Sequence, residues 1–256
     1  ATHGGSWVVG SPSVRDGMVF VGSSDAHFVQ AVDAVTGTER WHAATEMNVN
    51  ASPILFGDAL VVGAASTSEQ AGALIAFDAA TGAIKATVPV GQKPDAAIWD
   101  QVAARAYVMN GKDGSVSIID PKAMRVVGTV SVGGALEFAA IDGAGFLYVN
   151  VEDKGEIAQI DLAKRRVTRR TRLAGCEEPS GLAITHQGVL IAACANGVAK
   201  AINAETGRAI GDIAIGPRPD ATLYDMAHDR AYIPSGGDGT LAVIDTASPR
   251  VGTACR

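Results

Sequence analysis

The chain lacks the sequence features by which many membrane proteins and enzyme classes are first recognised. Its 256 residues contain no run of eighteen apolar residues, so we predict no membrane span. They also contain no H-E-x-x-H pair for zinc, no G-x-S-x-G nucleophile turn and no phosphate-binding P-loop. No positively charged, apolar leader precedes Ala1, so we expect a mature or trimmed chain whose targeting signal is not visible.

Charged and aromatic residues are also scarce, at 19% and 5% of the chain. The formal net charge is −6, and an acidic balance of this kind disfavours nucleic acid, so we predict no nucleic-acid partner. Apolar residues make up 47%, and a chain of this length can bury a large core as one domain.

A short turn motif that begins with Asp or Asn recurs six times along the chain. Its first residues are separated by 45, 42, 41, 42 and 42 positions. They are Asp33, Asp78, Asp120, Asp161, Asn203 and Asp245. A fixed period of this length is the mark of a repeat architecture.

Each repeat contains four short apolar runs separated by Gly, Asp, Asn or Pro, which is typical of strands joined by hairpins. Four strands in about 42 residues form the blade of a propeller. We therefore predict an all-β fold, a six-bladed β-propeller of four-stranded antiparallel blades, as a single domain over residues 1–256. The predicted blades span approximately residues 1–46, 47–90, 91–132, 133–174, 175–215 and 216–256. We expect closure by side-chain packing without an exchanged strand, although Ala1–Ser6 could add a short edge pairing.

Different parts of the chain resemble two families of propeller repeat. The segment AVDAVTGTERW at Ala31–Trp41 resembles the docking motif A-x-D-x-x-T-G-x-x-x-W of quinoprotein (PQQ-type) repeats, in which the Trp packs between neighbouring sheets. The second copy departs from the motif, with Ala86 where the Trp should be. From about residue 90 the chain resembles bacterial YVTN-type, surface-layer-like repeats, as in AYVMNGKDG at Ala106–Gly114. A quinone-dependent dehydrogenase is disfavoured, because the chain contains only one complete docking motif and no adjacent Cys–Cys pair.

Polar residues, mostly acidic, recur just before the first apolar run of a repeat. This set comprises Asn50, Asp95, Glu137, Glu178 and Asp220. In a propeller these positions lie at the mouth of the central channel, where we predict a binding site that also includes Lys93, Arg218 and His27. His27 is the one histidine proposed as a general base.

The acidic set has three interpretations. The acids cap local turns, neutralised by Lys93 and Arg218; they line a pocket for a small molecule or peptide; or they bind a cation. Because hard oxygen ligands suit Ca²⁺, the candidate calcium ligands are Asp95, Glu137, Glu178 and Asp220. No other cofactor is expected.

The cysteines and one basic stretch complete the inventory. Cys176 enters the first strand of the fifth repeat and Cys194 ends its second, so they form either a disulfide or two buried thiols. A disulfide favours an oxidising compartment, periplasmic or secreted.

The basic stretch Lys164–Arg172 falls on an outer strand, where charge discourages edge pairing or attracts an anionic partner.

The function predicted from these features is a non-catalytic binding or scaffold propeller, monomeric, with an unidentified small-molecule or protein partner at the central-channel face. The alternative is a metal-assisted hydrolase or lyase, lactonase-like, that uses the acidic channel mouth.

Overall fold

The computed structural model describes residues 12–247 and the short strand at 253–255. The described chain is all-β, apart from one turn of 3₁₀ helix at Glu152–Lys154. It divides into two compact units, Ala1–Thr129 and Val130–Arg256. Among the described residues no helix is long and apolar enough to cross a membrane.

The first unit holds three four-stranded antiparallel sheets, except that the last strand, β12, runs two residues past its limit. Their strands are β1 Ser13–Arg15, β2 Met18–Ser23, β3 Phe28–Asp33 and β4 Glu39–Ala44; β5 Ile54–Phe56, β6 Ala59–Ala65, β7 Gly72–Asp78 and β8 Ile84–Val90; and β9 Pro94–Asp100, β10 Arg105–Asn110, β11 Ser115–Asp120 and β12 Arg125–Ser131.

The second unit holds three further four-stranded antiparallel sheets. Their strands are β13 Leu136–Ile141, β14 Phe146–Val151, β15 Glu156–Asp161 and β16 Arg166–Arg172; β17 Pro179–Ile184, β18 Val189–Cys194, β19 Val198–Asn203 and β20 Ala209–Ala214; and β21 Leu223–Asp225, β22 Arg230–Ser235, β23 Thr240–Asp245 and β24 Thr253–Cys255.

Every sheet consists of four strands that are consecutive in the chain. The prediction of six four-stranded antiparallel sheets is therefore confirmed. Because each sheet contains only its own four strands, the described residues show no exchanged strand. The proposed edge pairing of residues 1–6 lies outside the described part of the chain.

The recurring Asp closes the hairpin between the third and fourth strands of each sheet. In the first sheet, Asp33 Oδ1 accepts hydrogen bonds from the backbone N–H of Val35 (3.0 Å) and Thr36 (2.9 Å). The pKa of Asp33 is held well below its usual range, mainly by the hydrogen bond from the Thr36 backbone and next by the ion pair to Arg40. The chain then turns through Gly37, whose φ of 69° is in the left-handed region that glycine adopts without steric cost.

The same Asx-type cap recurs at the third-to-fourth turns of the other described sheets. Asp78, Asp120, Asp161 and Asn203 each accept backbone N–H groups two or three residues later, and Asp245 caps Ala247. The pKa values of Asp78, Asp120 and Asp161 are lowered, mainly by hydrogen bonds to Thr81, Ala123 and Lys164 respectively. The period seen in the sequence is thus the period of this cap.

A β-bulge in the fourth strand follows each of four caps. In the first sheet Ala31 pairs with Trp41 but Val32 pairs with Glu39, so the register shifts by one residue. Equivalent shifts occur at Ala76/Phe77, Gln159/Ile160 and Ala201/Ile202. The bulge places the residue eight positions after the cap opposite the middle of the third strand.

In the first unit that position is occupied by Trp41, which is buried between the first and second sheets. Its Nε1 donates to the Ala79 carbonyl at 2.9 Å. Its ring stacks on Phe77, with centroids 6.3 Å apart, and contacts Phe20 at 5.9 Å. The predicted packing role of this Trp is thus observed.

In the second unit the equivalent residue is Arg169, opposite Gln159 on β15. Its guanidinium donates to the Glu205 carbonyl at 2.5 Å and to the Ala204 carbonyl. Ala204 follows the cap Asn203 as Ala79 follows the cap Asp78, so Arg169 bonds to the equivalent main-chain acceptor. A guanidinium therefore serves between the fourth and fifth sheets as an indole does between the first and second.

Candidate functional site

The strand registers correct the predicted equivalence of the polar set. Pro94 pairs with Asn110, Pro179 with Cys194 and Pro219 with Ser235. The residues that follow these prolines are Asp95, Ser180 and Asp220. Glu178 precedes its proline, so it is the equivalent of Lys93 and Arg218 and not of the acids.

The strand-entry position is thus polar in five sheets, with Ser180 in place of the predicted Glu178. It comprises Asn50 and Asp95 in the first unit and Glu137, Ser180 and Asp220 in the second. The sequence led to Glu178 because it too lies just before the first apolar run of its repeat, and the position of that run does not show which residue begins the strand pairing. Side chains alternate along a strand, so a shift of one residue changes the direction in which the group is presented.

In the first unit the acid at the strand entry is neutralised by its neighbour. Lys93 Nζ lies 2.8 Å from Asp95 Oδ2, and Lys93 has a φ of 51°. The left-handed backbone at Lys93 turns its side chain back toward the carboxylate two residues later. This ion pair shows that Lys93 neutralises Asp95, as the first of the three interpretations expects.

The predicted base, His27, lies in the loop between β2 and β3. Its φ is 53°, and its carbonyl accepts the backbone N–H of Thr45 at 2.9 Å. The residue is half-buried, and the role found for it is to tie the loop to the end of β4. Its proposed use as a general base stays a prediction.

In the second unit the predicted residues differ in exposure. Glu137 is half-buried, whereas Glu178, Arg218 and Asp220 are exposed. Glu178 and Arg218 both have left-handed backbones, with φ of 45° and 52°. Glu178 lines an open cleft of about 640 Å³ formed by Glu152–Gly155 and Arg172–Glu178.

The cleft has a fixed frame. Asp153 Oδ1 accepts the Ala135 N–H at 2.8 Å, and Lys154 Nζ donates to the Gly133 carbonyl at 3.0 Å. The Cys176–Cys194 disulfide joins the far wall to β18, with the two Cα atoms 5.3 Å apart. The predicted disulfide is confirmed, and the alternative of two buried thiols is wrong.

Five charged side chains of the cleft are exposed. Asp153 and Lys154 hold the frame, whereas Arg172, Glu177 and Glu178 lie on the other wall. The backbone behind them is held by Asn196, whose Nδ2 donates to the Gly175 carbonyl at 3.0 Å and whose Oδ1 accepts the Glu177 N–H at 3.3 Å. The cleft is therefore a preformed concave surface with charged, solvent-facing groups.

The four candidate calcium ligands do not form a cluster within either unit. Asp95 lies in the first unit, and the other three candidate ligands lie in the second. Within residues 12–247, no group of three or more His, Cys, Asp or Glu side chains is placed to hold a metal ion. Binding of Ca²⁺ at Asp95, Glu137, Glu178 and Asp220 stays a prediction.

The sequence reading missed a polar cluster on the opposite edge of the last two sheets. His186 Nδ1 lies 2.6 Å from the Tyr224 hydroxyl, which donates to Asp229 Oδ1 at 2.7 Å. Desolvation and the carboxylate of Asp229 raise the pKa of Tyr224. The sequence contains one indication of this cluster: His186 and His228 are 42 residues apart and so occupy equivalent positions in consecutive repeats.

The basic stretch on β16 is partly used inside the protein. Besides Arg169, Arg170 forms an ion pair with Glu156 and donates to the Val132 carbonyl. Arg166 and Arg172 are exposed on the same strand. Arg169 and Arg170 therefore bond within the protein, as does Lys164, whose Nζ lies 2.7 Å from Asp161 Oδ2.

Comparison with known proteins places these features in a family. The PQQ-type repeat family described as "Outer membrane protein assembly factor BamB" matches residues 2–171. The chain belongs to this BamB family. The match continues past residue 90, through segments that resemble YVTN-type repeats, so that second resemblance stays an interpretation. A search of curated proteins found no significant match.

Solved structures with the same fold include a member described under the BamB name. The chain resembles BamB from Moraxella catarrhalis with a TM-score of 0.65 and 17% identity, over 99% of this chain and 74% of that one. It resembles Kuenenia stuttgartiensis hydrazine synthase with a TM-score of 0.75 and 17% identity, over 93% and 76%. It resembles the computationally designed Ika8 protein with a TM-score of 0.72 and 14% identity, over 96% and 73%. At these identities the likeness establishes the fold alone.

Proposed function

We propose that this BamB-family chain is a six-bladed β-propeller that acts as a non-catalytic scaffold for a protein partner in the periplasm. The family is described by a role in outer membrane protein assembly, which supports a protein as the partner. The disulfide Cys176–Cys194 supports an oxidising compartment.

The observation that carries the proposal is the framed cleft of the second unit. A binding surface is effective when its shape exists before the partner arrives, because less conformational entropy is lost on association. Here side chains bonded to main-chain carbonyls and a disulfide fix both walls, and Glu177 and Glu178 remain exposed on one of them.

The charges of the cleft indicate the chemistry of the partner. Glu177 and Glu178 face solvent on one wall, and Arg172 stands beside them. The whole chain has a net charge of −6, so a partner segment that presents Lys or Arg should associate faster and bind in a defined orientation. The proposed partner contact is therefore a basic segment of an extended or folded protein.

Site-specific photocrosslinking in cells that express the natural gene tests the proposal. A photoreactive residue at position 177 should give one adduct of discrete mass, and the same residue at exposed Val102, in the β9–β10 turn of the first unit, should give none. Charge reversal by Glu178→Lys should reduce the adduct at position 177. Equal crosslinking at both positions, or an adduct insensitive to the reversal, contradicts the assignment.

A further inference from the structure

The second and third sheets lack the aromatic residue that Trp41 supplies between the first and second. The residue eight positions after the cap Asp78 is Ala86, and it pairs with Ala76 as Trp41 pairs with Ala31. A cavity of about 360 Å³ lies in this part of the first unit, and its lining is almost wholly apolar.

The walls of this cavity correspond one by one to the contacts of Trp41. Phe20 and Phe77 contact the Trp41 ring, and Ala79 accepts its N–H. Register and distance from the cap make Val61, Ile119 and Pro121 their equivalents. All three line the cavity.

The floor is equivalent as well. Gly82, four residues after its cap, lies against the Trp41 ring so closely that an added Cβ would stand 2.6 Å from Trp41 Cε3. Its counterpart four residues after Asp120 is Met124, which lines the cavity and is partly exposed. The cavity therefore occupies the place of an indole ring, with a flexible thioether at one side.

Two further aromatic residues of the lining join the two sheets beside the cavity. Phe56 on β5 and Trp99 on β9 pack against each other with ring centroids 4.4 Å apart, and both are half-buried. At the rim, Lys85 Nζ lies 2.6 Å from Asp58 Oδ2, which raises the pKa of Lys85 and leaves the pair charged. A charged rim around an apolar interior admits a small apolar molecule from water and fixes its orientation.

We infer that the cavity between β5–β8 and β9–β12 is a binding site for a small planar aromatic molecule of indole size that carries one N–H donor. The ring takes the place that Trp41 fills one sheet earlier. The donor meets the Pro121 carbonyl, the counterpart of the Ala79 carbonyl. This site is independent of the cleft in the second unit.

Indole is the probe that tests the inference, by calorimetric titration and by its effect on Tm. The native chain should bind one indole saturably, with a Kd on the order of 0.1 mM for a ligand of this size. The variant Ala86→Trp should fill the cavity from within, abolish binding and raise Tm by roughly 4–10 °C. Thr87→Trp, which places the same ring on the exposed opposite side of β8, should keep binding and leave Tm unchanged.

A variant that removes Trp41 gives a second test of the inference, and this test does not depend on substituting Ala86. Trp41→Ala should create a second cavity, so indole should raise its Tm more than it raises that of the native chain. Absence of saturable binding to the native chain, binding that survives Ala86→Trp, or a lower Tm in that variant overturns the inference. Tighter binding of N-acetyltryptophanamide than of indole overturns the small-molecule assignment in favour of a tryptophan borne by a peptide.

Discussion

Replacing Arg169 with alanine should destabilise the second unit more than any other single loss of charge on β16. The guanidinium makes two hydrogen bonds to the carbonyls of Ala204 and Glu205, whereas its buried Nε has no hydrogen-bond partner among the described residues, which offsets part of the gain. Hydrogen bonds to a charged group contribute a net of about 1.5–3 kcal/mol each in a buried setting, and these two share one half-buried side chain, so less than the sum is expected. We therefore expect the free energy of unfolding to fall by about 2–3 kcal/mol.

For a chain of this size that loss corresponds to a decrease in Tm of roughly 4–12 °C, measured by differential scanning calorimetry and checked by urea titration. Arg166→Ala is the matched control, because Arg166 is on the same strand and exposed, and it should change the free energy of unfolding by less than about 0.5 kcal/mol. Arg169→Met retains the aliphatic packing and should still lose most of the stability. Equal effects of the Arg166 and Arg169 variants would refute the view that this guanidinium joins two sheets.

Three further results are expected. Replacing Cys176 and Cys194 with serine and alanine should lower stability by about 3 kcal/mol in a denaturant titration, since the bond closes a loop with a sequence separation of 18; no change would show that the cleft wall is held by other contacts. Acid should destabilise the hairpin turns: the pKa of Asp33 is lower in the fold than in the unfolded chain, so its contribution is present above about pH 4 and is lost as the pH falls through the folded value. Asp33→Asn should flatten that part of the Tm-against-pH curve, and an unchanged curve would argue against the cap. Millimolar Ca²⁺ should leave Tm unchanged, because Lys93 neutralises Asp95; a saturable rise would support the calcium site and with it the hydrolase or lyase alternative.

The sheets could be predicted from the sequence because their signals are local. A cap such as Asp78 bonds to N–H groups within three residues, and the strands on either side of it pair through a hairpin. Both interactions are encoded within about ten residues. The disulfide could be predicted for the same reason, since Cys176 and Cys194 belong to adjacent strands of one sheet.

The candidate site could be predicted only in part because it depends on register. Whether an acid lies before or after the proline that enters the first strand separates Glu178 from Asp95 and Asp220, and the printed sequence shows both arrangements as an acid beside a proline. The pairing partner on the second strand decides between them. The role of Arg169 was hidden for a similar reason: a run of arginines on an outer strand indicates exposed charge, and only the bulge shows that one of them turns inward.

The spaces between the sheets, and not the sheets themselves, are where this chain differs from repeat to repeat. Caps and ladders are repeated, so the backbone around such spaces within each unit is similar. The carbonyl after the cap accepts a hydrogen bond at Ala79 and at Ala204, and our inference gives the same role to Pro121. What fills the space varies: an indole from Trp41, a guanidinium from Arg169, and no large side chain at Ala86. Because the frame is specified by local hydrogen bonds, a large filling residue can be lost without losing the sheet, at the cost of a cavity. A cavity left in this way has both the shape of an aromatic ring and an acceptor for its N–H, and this combination of shape and polarity favours a ligand over empty space.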